Sequence, residues 1–219
     1  MKKTFAVERL TVSAMMLAVA TVIAWCCSLV PFLHLPFGGG FTVASMLPLV
    51  LVAYMYGTRW GLFTAGAYSV IQMLLGYSTV AGFFTPTSDS FTGIRNAILI
   101  CLIDYVLAFT VLGFGGIFRN MKSRTAALAW GSVVALSLRY LCHIVSGAIF
   151  FGSWAEWFFG QDGVRELFGE WVLTHFSGGA LTIVYSVVYN GLYMIPEIII
   201  TAIAACLIAR LPQVRRRTA

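Results

Sequence analysis

The amino-acid sequence predicts an all-α membrane protein with six transmembrane helices and cytoplasmic N- and C-termini. Of its 219 residues, 60% are hydrophobic and only 10% are charged, whereas soluble domains carry about 25% charged residues. The apolar residues form long runs, and the Lys and Arg residues lie mostly in one set of the connections between those runs. Such a composition excludes a soluble domain and predicts one integral membrane domain over residues 1–219.

Charged and turn-forming residues divide the chain into six apolar segments. The first covers about residues 10–30 and ends at Pro31. It is too long for a cleaved signal peptide, so we expect it to be retained as a span. The other segments are residues 41–56, 60–75, 96–118, 126–151 and 179–211. The second and third are shorter than the roughly 20 residues of a bilayer crossing, which leaves a partly re-entrant segment open.

The positive charges assign the two sides of the membrane. One side carries Lys2, Lys3, Arg9, Arg59, Arg119, Lys122, Arg124, Arg210, Arg215, Arg216 and Arg217. The opposite side carries Arg95 and Arg165, and Arg139 lies inside the fifth segment. Because short cytoplasmic loops are enriched in Lys and Arg, we expect both termini in the cytoplasm. The basic residues form no groove-like patch, so the net charge of +6 does not predict nucleic-acid binding.

Two longer connections, residues 76–95 and 152–178, are expected outside the cell. The second is rich in aromatic residues, namely Trp154, Trp157, Phe158, Phe159 and Trp171. Aromatic residues at this level are typical of an interfacial belt. The alternative is a lid that offers ring faces to a ligand in an outward-facing pocket.

Four ionisable residues fall inside the apolar segments: Asp104, Arg139, His143 and Glu197. An unpaired charge at bilayer depth costs several kcal/mol, so each of them is a candidate functional residue. At 1.5 Å per residue, Asp104 and His143 lie roughly 13 and 12 Å below the outer ends of their segments. Tyr185 and Asn190 of the sixth segment bracket the same level.

Helical spacing groups these side chains further. Arg139, His143 and Gly147 share one face of the fifth segment, and Tyr185 and Tyr189 share a face of the sixth. This convergence predicts a small-ligand site in the outer half of the bilayer. Two structural readings remain open: Arg139 pairs with Glu197 or Asp104, or His143 serves only as a hydrogen-bonding residue between helices.

Catalysis and metal binding find little support in the sequence. Cys142 adjoins His143, but neighbouring residues on a helix do not face each other. No HExxH, Walker A or GxGxxG motif occurs, and the five cysteines suit buried thiols. We therefore expect no enzyme, no metal and no cofactor. Two alternatives stay open: a secondary transporter with Asp104, His143, Arg139 and Glu197 as a proton relay, and an intramembrane enzyme around His143 and Cys142.

Several motifs occur in a fixed order along the chain. They are GGGFTVASMLP at 38–48, Asp104-Tyr105, GFGGIFR at 113–119, RYLCHIVSG at 139–147 and YSVVYNG at 185–191. Over nearly the whole chain they resemble the thiamine-specific S component of energy-coupling factor transporters. The resemblance implies a multi-pass subunit in the plasma membrane of a prokaryote that captures thiamine outside. A separate transmembrane coupling subunit and two ATPase subunits would then drive uptake; an S component for another vitamin remains an alternative.

The resemblance also implies specific residues. Those matching the thiamine pocket are Asp104, Tyr105, His143, Gly147, Phe151, Tyr185, Asn190 and Tyr68. Asp104 stands where the family commonly has Glu, and Tyr68 and Phe151 align with pocket tryptophans. Ala14 and Ala18 of the first span match positions that contact the coupling subunit, and small residues four apart permit close helix contact in lipid.

Overall fold

The computed structural model describes residues 2–33 and 40–214, with side chains from residue 4 onward. Every regular element in this part of the chain is helical, which confirms the predicted all-α class. The helices are α1 (Lys2–Ser28), α2 (Leu47–Tyr56), α3 (Thr58–Leu75), α4 (Tyr77–Phe84), α5 (Ile94–Asn120), α6 (Arg124–Phe150), α7 (Ala155–Phe159), α8 (Arg165–Gly169 continued by Glu170–His175) and α9 (Gly178–Ile208). The side chains of Lys2 and Lys3, and all of Gly38, Gly39, Arg215, Arg216 and Arg217, lie outside the described part.

Four of these helices are long and apolar enough to cross a membrane: α1, α5, α6 and α9. The helices α3 and α4 are bent against each other by 78° and count as a fifth crossing if they are taken as one span. The described residues thus contain four or five such helices instead of six. Composition still requires lipid around them, because many large apolar side chains on their outer faces are exposed.

The second predicted segment differs most from expectation. Residues 41–56 were expected to form one span, yet only the ten residues of α2 are helical. Pro48 suits the first turn of a helix, where its missing N–H is not needed, and Ala44 has a left-handed φ of +56° that interrupts any earlier helix. All ten α2 residues are buried within the protein. We call the irregular residues 40–46 that precede α2 the strap.

The connection of residues 76–95 is also more ordered than a loop. It contains the short helix α4, which turns away from α3 at Gly76. The amide of Gly76 donates to the Gln72 carbonyl and closes α3 at 2.9 Å. The α4 residues YSTVAGFF are apolar and include no proline or charge. Nothing in this sequence interrupts a helix, so α4 begins directly after the bend at Gly76.

The helix α5 changes its winding along its length. Cys101–Leu107 form a π-helical segment, and Val111–Asn120 are wound more tightly as 3-10 helix. In the tight part, Gly113 lies against the backbone of Gly61 and Leu62, and Gly116 lies against Ala53. The GFGGIFR motif therefore lets three helices approach closely, as small residues do between helices in membranes.

Basic residues that the charge pattern assigns to one side do lie at one end of the bundle. Arg119 donates from Nε and Nη2 to two carbonyls at the end of α2, at 3.1 Å each. Arg124 donates to two carbonyls just after α9, at 3.2 and 2.7 Å. The guanidinium of Arg9 lies 3.8 Å from the centre of the Trp60 ring. Arg119 and Arg124 thus bind carbonyls at or just after the C-terminal ends of helices, where positive charge is favoured.

Candidate ligand-binding site

A cavity of about 510 Å³ lies between α1, α3, α5, α6, α9 and the strap. This volume falls in the range of small-molecule sites, roughly 300–1,000 Å³. Its wall includes most of the residues that the sequence predicts for the site: Asp104, Tyr105, His143, Gly147, Phe151, Tyr185 and Asn190. The structure therefore gathers residues from three long helices around one space, as the depth estimate requires.

Asp104 has both carboxylate oxygens engaged by α6. Its Oδ1 lies 2.9 Å from Nδ1 of His143, and Oδ2 accepts a hydrogen bond of 2.6 Å from the Ser146 hydroxyl. Asp104 belongs to the π-helical segment of α5. Such segments are rare and occur often at functional sites, because the wider turn displaces side chains from their regular positions.

His143 connects Asp104 to Arg139. The Nε–H of Arg139 donates to Nε2 of His143 at 3.2 Å, so this ring nitrogen acts as an acceptor. The proton of a neutral imidazole then resides on Nδ1 and is donated to Asp104. The three residues form a continuous chain of hydrogen bonds along the cavity wall.

Arg139 does not make the ion pair that was open from the sequence. Within the described residues, neither Asp104 nor Glu197 comes within 4.0 Å of its guanidinium nitrogens. Its guanidinium carbon instead lies 4.4 Å from the centre of the Phe109 ring, a cation–π arrangement. Asp104 is held by His143 and Ser146, so the positive charge of Arg139 faces the cavity with the polarised His143 beside it.

Close contact between α6 and α9 fixes the position of Asn190 in the cavity wall. Asn190 donates from Nδ2 to the Ser186 carbonyl at 2.9 Å and accepts at Oδ1 from the Tyr193 hydroxyl at 2.7 Å. Ser186 donates to the Ile144 carbonyl at 2.8 Å. A Cβ on Gly147 would overlap the Ser186 hydroxyl, so glycine is needed for this approach. Both ends of the Asn190 amide are thus bound by the protein.

Aromatic rings form another part of the wall. The rings of Tyr185 and Tyr189 lie 5.4 Å apart, and the ring of Phe158 in α7 contacts both edge-on at 5.5 Å. Phe158 is buried, so part of the outer connection does pack over the cavity rings. Trp171 in α8, by contrast, stacks on His175 and is 57% exposed. Within this connection, Phe158 thus packs on the cavity rings while Trp171 faces outward.

Tyr68 is the one predicted pocket residue that does not line the cavity. It is fully buried, with its ring edge-on to Phe109 at 5.5 Å and its hydroxyl bonded to the Gln72 amide. Gln72 takes the place in the wall. Gln72 reaches the cavity and Tyr68 does not, because Gln72 lies one turn further along α3 toward its C-terminal end.

Several wall residues or their supports were not singled out from the sequence: Gln72, Ser146, Ser186 and Tyr193. Ser146 and Tyr193 each follow a predicted residue, His143 and Asn190, by three positions. Residues three apart share a helix face, so this spacing was the available signal.

The remaining candidate residues lie away from the cavity. Cys142 is not part of its wall, and no group of three His, Cys, Asp or Glu side chains among the described residues can hold a metal. Glu197 is buried outside the wall and contacts the strap. Ala14 and Ala18 are both exposed on the outer face of α1, which leaves their predicted partner contact as a prediction.

A cavity with polar and aromatic walls, between helices long and apolar enough to cross a membrane, is typical of a membrane protein that binds a small molecule. The chain belongs to the family described as thiamine transporter protein (Thia_YuaJ), which matches residues 10–160. It is 27% identical over 187 residues to the thiamine transporter ThiT of Bacillus subtilis strain 168, covering 81% of this chain and 78% of that protein. The family resemblance predicted from the motifs is confirmed, and a transporter family also confirms that the chain is not an enzyme.

The fold has a relative among solved structures. ThiT from Listeria monocytogenes matches with a TM-score of 0.57 over 91% of this chain and 96% of that one. Sequence identity between the two is 18%, so this likeness concerns the fold. It shows that the two chains share an arrangement of helices.

Proposed function

We propose that this protein is the thiamine-binding S component of an energy-coupling factor transporter. It captures thiamine from outside the cell and passes it to a separate transmembrane coupling subunit driven by two ATPase subunits. The observation that carries the proposal is the hydrogen-bonded chain of Asp104, His143 and Arg139 on the wall of a cavity, in a member of the thiamine transporter family.

The chemistry of the cavity suits thiamine, which joins a cationic thiazolium ring to an aminopyrimidine and a hydroxyethyl group. The carboxylate of Asp104 can accept from the aminopyrimidine or offset the cation. The rings of Phe151, Tyr185 and Tyr189 offer faces that favour a desolvated cation. The amide of Gln72 and the guanidinium of Arg139 remain as polar contacts for the rest of the molecule.

The same proposal includes a topology. The chain crosses the plasma membrane of a prokaryote six times, with α2 as a short crossing that relies on protein around it, and both termini are cytoplasmic. The basic end of the bundle supports this orientation through the positive-inside rule. The exposed Ala14 and Ala18 suit close docking of the coupling subunit on α1. Both named relatives come from bacteria.

Titration of the purified protein with thiamine tests the substrate. We expect saturable one-site binding at micromolar or lower concentration, with riboflavin as a control vitamin that gives no heat. Absence of thiamine binding at micromolar concentration would contradict the assignment.

Liposomes that contain this chain alone should not accumulate thiamine under a proton gradient. Accumulation there would favour the secondary transporter.

Replacing His143 with alanine should weaken thiamine binding by roughly tenfold or more, because a buried charge-assisted hydrogen bond to Asp104 is lost. The same change removes the acceptor for Arg139. Isothermal titration of the folded variant measures the effect. His175→Ala is the matched control, since His175 is exposed and bonds only to the carbonyl of Trp171 in its own helix. Equal losses in the two variants would remove His143 from the site.

A further inference from the structure

The strap is tied to the last long helix by one buried carboxylate. Glu197 of α9 is 2% exposed, and its Oε2 accepts a hydrogen bond of 3.0 Å from the backbone N–H of Thr42. Thr42 is part of the cavity wall together with Gly40 and Phe41. We propose that Glu197 is a positioning residue, which fixes the strap as a wall of the cavity and thereby limits the escape of a bound ligand.

Irregular backbone among membrane-crossing helices must have its polar groups satisfied by protein or by water in a cavity. In the strap, the N–H of Phe41 bonds to the Leu33 carbonyl at 2.9 Å, and the N–H of Ser45 bonds to the Thr42 carbonyl at 2.7 Å. Both bonds stay within the connection between α1 and α2. The N–H of Thr42 instead reaches α9, so Glu197 determines where the strap lies relative to that helix.

The strap is also held in a conformation that its sequence does not favour. Ala44 has φ +56°, in the left-handed region where a Cβ is unfavourable. Outliers of this kind persist only when surrounding contacts hold them, and they cluster at ligand clamps. One such contact is the bond between the Ser45 and Thr42 hydroxyls at 2.7 Å. If the bond to Glu197 is removed, the turn can relax away from the cavity.

Glu197 has no competing role as half of an ion pair. No Lys or Arg nitrogen among the described residues lies within 4.0 Å of its carboxylate. Its other oxygen, Oε1, is buried without a hydrogen-bond partner in that part of the chain. The hydrogen bond from the Thr42 amide therefore ties this carboxylate to the strap.

A thiol placed in the strap reports its position without any ligand. Ser45 is fully buried and close to cysteine in size, and the thiol keeps a weak donor toward the Thr42 hydroxyl. Ser45→Cys, the parent for every comparison below, should therefore react slowly with a maleimide, followed at that site by peptide mass spectrometry. Adding Glu197→Met or Glu197→Asp should raise the labelling rate about tenfold, because neither side chain places an acceptor on the Thr42 amide. Glu197→Gln keeps an acceptor at the same reach and should label within about threefold of the parent.

Ser132→Ala is the control, since Ser132 in α6 is equally buried and its hydroxyl has no hydrogen-bond partner among the described residues. It should leave the labelling of Ser45→Cys unchanged. Slow labelling in folded Glu197→Asp would overturn the proposal, as would labelling of Glu197→Gln as fast as that of Glu197→Met.

The effect on ligand escape rests on the proposed thiamine function. In Glu197→Asp, the dissociation rate of thiamine should rise about tenfold, in parallel with labelling. The thiamine function and the positioning role of Glu197 can be disproved independently. If thiamine does not bind the wild type, the proposed function falls while the labelling comparison still stands. If thiamine binds but its dissociation rate does not change in Glu197→Asp, the positioning role in ligand retention is wrong.

Discussion

Asp104→Asn is expected to weaken thiamine binding by roughly 100-fold, on the order of 3 kcal/mol. The carboxylate accepts from both His143 and Ser146 inside the protein. An asparagine amide has the same shape but only one acceptor oxygen, so either His143 or Ser146 loses its partner. The amide also carries no charge, so the thiazolium cation of thiamine would lose its counter-charge. Isothermal titration of the variant, with the folded state checked by thermal unfolding, measures the loss.

Two controls separate charge from shape at this position. Asp104→Glu keeps the carboxylate and extends it by one methylene, so it should bind within about tenfold of the wild type. Asp162→Asn changes an exposed carboxylate in the connection between α7 and α8 and should have no effect. Normal binding by Asp104→Asn would mean that the ligand site lies elsewhere.

Gly113→Val is expected to have the largest effect on stability. A Cβ at this position would overlap the backbone of Gly61 and Leu62 in α3, and backbone cannot move aside as a flexible side chain does. The cost should exceed about 3 kcal/mol, above the usual range for overpacking. We expect a fall in Tm on the order of 10 °C in detergent, or a failure to accumulate in the membrane.

Gly179→Ala provides the comparison within the same protein. Gly179 lies in the first turn of α9, and a Cβ there meets no neighbouring atom within 4 Å. Alanine has the higher helix propensity, so this variant should be neutral or slightly more stable. Equal destabilisation in both variants would show that close packing of α5 on α3 is not the cause.

The long helices were predictable because lipid imposes a strong constraint on sequence. The predicted fourth, fifth and sixth segments match α5, α6 and α9 to within a few residues at each end. The short elements were not. In the case of α2, apolar composition continues through the strap, and only the conformation of Ala44 shows that the helix begins later.

The depth of the candidate site and the residues that form it were predictable from the sequence, but the hydrogen bonds between those residues were not. Counting along helices placed Asp104 and His143 at one level, and the structure joins them. The same counting suggested an ion pair for Arg139 that does not form, because His143 and Ser146 bind both oxygens of Asp104 and Arg139 donates to His143 instead. The contact of Glu197 with Thr42 joins residues 155 apart and has no local signal.

The short, fully enclosed helix α2 has a consequence for how the protein is made. At 1.5 Å per residue it spans about 15 Å, roughly half of the hydrocarbon thickness. Alone in a bilayer, α2 would leave the backbone of the strap facing lipid tails without partners. We therefore expect α2 to enter the membrane together with α3, to which it is joined at Gly57. We expect it to be enclosed once α1 and α5, which pack on it, are in place.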